Sequence, residues 1–141
     1  MGPETNPFTG TFDGEGHTIN GLTNLCLFGY VGAGTTVRNI RFTNVSTILP
    51  PVAACVYGSV DATTTFSGIE VNGMISSDVI SVSGLVGILR STETELPSSM
   101  KQSPEVIIEN CTNNASASCV GYTRAAGFVV TVYGVSLEVR Y

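Results

Sequence analysis

The feature that most constrains this chain is an internal repeat. Leu27-Phe28-Gly29-Tyr30-Val31 returns as Val56-Tyr57-Gly58-Ser59-Val60, and again as Leu85-Val86-Gly87-Ile88-Leu89, so that the blocks start at positions 27, 56 and 85. Gly127-Phe128-Val129-Val130 is a degenerate fourth copy. A second strand-like segment follows each block. Val37-Arg38-Asn39-Ile40 maps onto Phe66-Ser67-Gly68-Ile69, then onto Ile108-Glu109-Asn110-Cys111, and near the end onto Val135-Ser136-Leu137. The third interval is longer because residues 90–104, polar and bounded by proline, form an inserted surface loop. Matching Asn110-Cys111 to Asn39-Ile40 sets the insertion at about thirteen residues and aligns both asparagines.

A period of this length without an apolar stripe at helical spacing means a solenoid built of strands. Ile40 and Phe42 alternate with Arg41 and Thr43, and Ile69 and Val71 with Glu70 and Asn72. Period-two alternation puts the first set inward and the second outward. One rung cannot bury its inward set; stacked parallel rungs bury it as a column. The expected fold is therefore all-β: one right-handed parallel β-helix over residues 1–141, of about four to five irregular rungs. The 16 glycines and many Val, Thr and Ser suit short strands and tight turns.

A net charge of −5 and scattered basic residues argue against a nucleic-acid partner. No apolar run approaches the ~18 residues of a membrane span, so no membrane insertion is expected. Met1 to Asn6 has neither the basic nor the apolar region of a signal peptide, so the chain reads as intracellular, a mature form, or a fragment of something larger.

Phe8 to Leu22 resembles the cap motif F-x-G-x-F-D-G-x-G-H-x-I-x-G-L of right-handed parallel β-helix surface proteins. Leu27-Phe28-Gly29, Ser83-Gly84-Leu85-Val86-Gly87 and Ala126-Gly127-Phe128-Val129 are similar to the short G-L-x-G repeat called GLUG. That repeat occurs in large secreted and cell-surface microbial proteins, including adhesin-like ones. Val56-Tyr57-Gly58 lacks the leucine, and Val130 replaces the last glycine of the fourth copy. The resemblance implies architecture and a surface location, with no shared chemistry.

No catalytic, cofactor-binding or metal-binding set stands out. His17, the single histidine, stands beside Asp13 and Glu15, as a metal or acid–base site would need, but its place in the resembled cap motif implies that it closes a turn with backbone hydrogen bonds. Asp13-Gly14-Glu15-Gly16 offers too few oxygens for a calcium shell and reads as a turn. Glycan-cleaving β-helix enzymes need paired carboxylates or a basic residue on one outward column. Arg41 and Glu70 share such a column. Glu109 and Glu138 extend it if the insertion is counted as ten residues; the thirteen-residue count, preferred because it aligns the asparagines and the inward residue after them, dissolves that column, so the glutamates read as solvated surface residues. The threonines at Thr35-Thr36 and Thr63-Thr64-Thr65 sit in turns and do not form a ladder along the whole chain.

Three glycosylation sequons begin at Asn44, Asn110 and Asn114, with Asn110 the weakest because its register puts it at a turn beside the core. Cys26 and Cys55 stand one repeat apart, a full expected rung, which would stack them within disulfide range. Cys111 and Cys119 flank a short polar loop and form a second candidate pair. The alternative for both is buried free thiols. Phe8 and Phe12 are placed to fold over the first rung, whereas Val135 to Tyr141 reads as a strand in progress. The expectation is that the chain continues, or that another copy supplies the next rung and builds a filament. The expected role is a structural or adhesive extracellular or cell-surface module. A glycan or host-surface ligand is a candidate partner, and a carbohydrate-active β-helix enzyme is the rival reading.

Overall fold

In the computed structural model, residues 1–77, 82–92, 105–119, 125–133 and 135–140 are described. They form thirteen strands and, among the described residues, no helix. The strands are β1 (Thr11–Asn20), β2 (Phe28–Val31), β3 (Thr36–Thr47), β4 (Ala53–Gly58), β5 (Thr64–Ser77), β6 (Val82–Ser83) and β7 (Val86–Ser91). They continue with β8 (Glu105–Glu109), β9 (Thr112–Asn113), β10 (Ser116–Cys119), β11 (Ala125–Ala126), β12 (Val129–Tyr133) and β13 (Ser136–Arg140).

Every pairing between these strands is parallel. One sheet holds seven strands, ordered β1-β3-β5-β8-β13, with β9 and β10 also paired to β5. A second holds β2-β4-β7-β12 and a third β6-β11. The chain thus visits the four-stranded sheet and the seven-stranded sheet in turn: β2 then β3, β4 then β5, β7 then β8, β12 then β13. The N-terminal segment completes the first such pass. Met1 and Gly2 carbonyls accept the Gly29 and Tyr30 N–H groups at 2.8 Å each, and Phe8 bridges to Val31.

The seven-stranded sheet keeps the period read from the sequence. Val37 pairs with Phe66 and Ile40 with Ile69, each one full repeat on. Phe66 then pairs with Ile108, a step longer than the repeat by thirteen, which is the size of the insertion. The position after Arg38 bends the strand, and the backbone there turns left-handed at Asn39 (φ 56°), Gly68 (φ 61°) and Asn110 (φ 51°). Asparagine and glycine are the residues that tolerate this conformation, which explains why they alternate in that column. Inward side chains form continuous columns. Phe12, Val37, Phe66, Ile108 and Val139 lie one above another, as do Ile19, Phe42 and Val71. Val37, Phe42, Phe66 and Val71 are 0% exposed, while Phe12, Ile19 and Val139, at the column ends, are half-buried.

The four-stranded sheet departs from the expected register. Phe28 pairs with Ala53, an offset of 25, and Ala53 with Val86, an offset of 33. The true second copy is Val52-Ala53-Ala54-Cys55-Val56, with Ala54 where the neighbouring strands carry Gly29 and Gly87. Gly58 instead ends β4 opposite Ser91. Glycine is required at position 87, since a Cβ there would lie 2.6 Å from the Ala54 carbonyl. Cys55 therefore stacks on Tyr30 and Ile88, not on Cys26, whose neighbour Leu27 donates its N–H to Pro51. The expected Cys26–Cys55 stack is corrected on this ground. The expected loop at 90–104 begins later than read, because β7 runs through Ser91; residues 93–104 lie outside the described set.

Candidate functional site

Among the described residues, the outward face of the seven-stranded sheet carries most of the charged side chains. Its columns follow from the register. Asp13, Arg38, Ser67, Glu109 and Arg140 form one; Thr18, Arg41, Glu70 and Thr112 form another. Arg38 Nε donates to Asp13 Oδ2 at 2.8 Å, and Arg41 Nε to Glu70 Oε2 at 3.0 Å. Arg140 pairs with Glu138 at 2.7 Å and Glu109 at 3.6 Å. These pairs are largely solvent-exposed, so each contributes little to stability.

Asp13 holds the expected turn together. Its carboxylate accepts the Glu15 N–H at 2.9 Å, the Asn39 side-chain amide at 3.1 Å and the Arg38 guanidinium. These three donors, the Glu15 backbone first, hold its carboxyl below the usual carboxylate range. The two residues that β1 carries beyond β3 between Asp13 and His17 form a bulge. His17 does not close this turn as expected. It stands exposed in β1, opposite Ile40. Among the described residues no group of three or more His, Cys, Asp and Glu is placed to hold a metal ion.

Arg41 and Glu70 line a shallow depression of ≈ 280 Å³ with Glu15, Gly16, Asn39, Ile40 and Gly68. Here acidic and basic side chains meet a concavity. Its chemistry is limited. Asn72 donates to Glu70 Oε1 at 2.9 Å and, with Arg41, holds the Glu70 carboxyl below its ordinary range. A general acid for glycoside cleavage needs the opposite shift. Glu109 and Glu138 lie outside this column, as the thirteen-residue count requires.

Contacts that the sequence reading did not foresee line other columns. Asn114 Nδ2 donates to Asn72 Oδ1 at 3.1 Å, and Asn44 Nδ2 to Asn20 Oδ1 at 2.8 Å, forming a corner of stacked amides. Tyr30 and Tyr57 stack with centroids 6.4 Å apart, and the Arg90 guanidinium lies 5.7 Å from the Tyr133 ring centre. Thr36 pairs with both Thr11 and Thr65, so three threonines do share a column, which ends at Ile107. The only signal for these sets was the correct register.

The sequon residues Asn44, Asn110 and Asn114 are all exposed. Cys26, Cys55 and Cys111 are free thiols. Burial pushes the Cys55 and Cys111 thiols up, and Cys111 donates to the Glu109 carbonyl at 3.3 Å. The Cys119 side chain lies outside the described set. No known protein family, curated protein or solved structure matches the chain.

Proposed function

We propose that this chain is a structural or adhesive module of an extracellular or cell-surface protein, built as a right-handed parallel β-helix related to the GLUG-repeat surface proteins. The observation that carries the reading is the alternation of parallel registers. Each pass lays one strand on the four-stranded sheet and the next on the seven-stranded sheet, directly over the pass before. Such a column spends its sequence on stacking and presents long, regular outward faces. The exposed sequons at Asn44, Asn110 and Asn114 fit an extracellular setting. The cysteines lend that setting no support, since three of them are free thiols.

The depression beside Arg41 and Glu70 is what favours the rival reading, a carbohydrate-active enzyme. Its carboxylate is held ionised by Asn72 and Arg41 and suits binding or register better than proton donation. Incubation with acidic and neutral polysaccharides, read by the appearance of new reducing or unsaturated ends, tests this. The expected result is no release. Turnover that vanishes in Glu70→Gln would replace the structural reading with the enzymatic one.

A further inference from the structure

We infer that the outward face of the four-stranded sheet is a binding strip for a carboxylate-bearing glycan, with Arg90 receiving the sugar carboxylate. The inference rests on the adhesive reading and names its ligand. The strip takes one side chain from each strand, in sheet order. Tyr57 on β4 pairs with Arg90 on β7, and Arg90 pairs with Tyr133 on β12. Tyr30 on β2 extends the row by stacking on Tyr57, with ring centroids 6.4 Å apart. Val56 and Leu89, the residues before Tyr57 and Arg90, are 0% exposed in the core, so strand alternation turns Tyr57 and Arg90 outward. Arg90 and Tyr133 are exposed. Tyr30 and Tyr57 are half-buried, which fixes their rings and leaves them reachable.

Charge decides what the strip takes. Arg38, Arg41 and Arg140 each hold a carboxylate at 3.0 Å or less. Arg90 holds none among the described residues; its guanidinium carbon lies 5.7 Å from the Tyr133 ring centre instead. That contact is within cation–π range and leaves the edge N–H groups to an anion. A guanidinium fork matches a carboxylate as a bidentate pair. Glu4 is the carboxylate felt by Tyr57, and its segment is hydrogen-bonded to β2, at the far end of the row. The ligand's negative charge therefore belongs at Arg90, and its uncharged rings at Tyr57 and Tyr30. A glycan fits this row better than an acidic peptide. A pyranose packs its C–H face on an aromatic side chain and brings hydroxyls to the phenols around it. A peptide gains its backbone hydrogen bonds at an open sheet edge, whereas β4 and β7 are inner strands paired on both sides.

Two matched pairs of probes test the strip: a hyaluronan oligosaccharide against its methyl ester, and sialyllactose against lactose. Titrations are followed by tyrosine fluorescence, which no tryptophan masks in this chain. In at least one pair the acidic sugar should bind, about tenfold or more tighter than its neutral counterpart, and more weakly as salt rises. Arg90→Gln and Tyr133→Leu, both at exposed side chains, should each lower that affinity about tenfold or more. Far-UV circular dichroism with an unchanged strand signal shows that each variant is folded. Neutral sugars that bind as tightly as the acidic ones overturn the inference. So does a folded Arg90→Gln or Tyr133→Leu chain that binds like the parent, or a parent that binds neither acidic sugar. A tetraglutamate peptide bound as tightly as the acidic sugars would make the face an acidic-peptide site instead. None of these results touches the structural or adhesive reading, which falls separately if polysaccharide is cleaved and cleavage is lost in Glu70→Gln.

Discussion

Phe66→Ala tests the stacked core where it is deepest. Phe66 is 0% exposed and sits between Val37 and Ile108, so truncation leaves a void with a paired strand on either side. Fully buried Phe→Ala changes cost roughly 3–5 kcal/mol. That is a large share of the roughly 5–15 kcal/mol a domain has in total. A chain of this size shifts its midpoint by about 2–4 °C per kcal/mol, so Phe66→Ala should melt at least about 6 °C below the parent. Phe12→Ala removes the same side chain from the same column, but at its end. There it is half-buried, making an edge contact 5.5 Å from Phe28. Its cost should be about half. Urea and thermal unfolding followed by far-UV circular dichroism gives both values. A Phe12→Ala penalty equal to or above that of Phe66→Ala would refute a core whose burial peaks at the middle strands of the seven-stranded sheet.

Gly73 has φ 143° and its backbone lies against Val45, so Gly73→Ala should be strongly destabilising in urea unfolding. Gly68→Asn should be tolerated, because Asn39 and Asn110 already hold that conformation in the adjacent strands. Asp13 has a depressed folded-state pKa, so its contribution to stability is present above the ordinary carboxylate value and is lost as pH falls through the folded one. The parent should lose stability over that acidic range faster than Asp13→Asn in unfolding measured against pH; parallel curves would contradict the three-donor turn. Timed alkylation of the native chain, read by peptide mass spectrometry, should label half-buried Cys26 before buried Cys55. The reverse order would contradict their placement.

How far the fold was legible depended on which residues marked the turns. In the seven-stranded sheet Asn39, Gly68 and Asn110 all occupy left-handed positions, so residue type reported geometry and the period could be read directly. The same match sized the insertion and removed Glu109 and Glu138 from the Arg41–Glu70 column. In the four-stranded sheet glycine misled. Gly58 stands where an even repeat expects a partner for Gly29, yet Ala54 fills that place. The two offsets differ in opposite directions, so the first and third copies still align and hide the slip of the second. The Tyr30–Tyr57 stack and the Cys26–Cys55 misplacement both follow from that slip. His17 was misread for another reason: the turn expected at Asp13-Gly14-Glu15-Gly16 is present, but the Asp13 carboxylate closes it on the Glu15 N–H, and His17 lies beyond it in the strand.

The central claim is that parallel passes stack in the described register, and one cross-link tests it most directly. Tyr30 and Cys55 are paired residues on adjacent strands, so their Cα atoms lie ~4.8 Å apart, inside the disulfide range of roughly 4.4–6.8 Å. Tyr30→Cys, oxidised under native conditions and mapped by non-reducing peptide mass spectrometry, should yield a bridge between position 30 and Cys55. The parent chain, treated alike, should keep Cys26 and Cys55 unlinked. A Cys26–Cys55 bridge in the parent, with none formed from position 30, would contradict the register and the stacked column built on it.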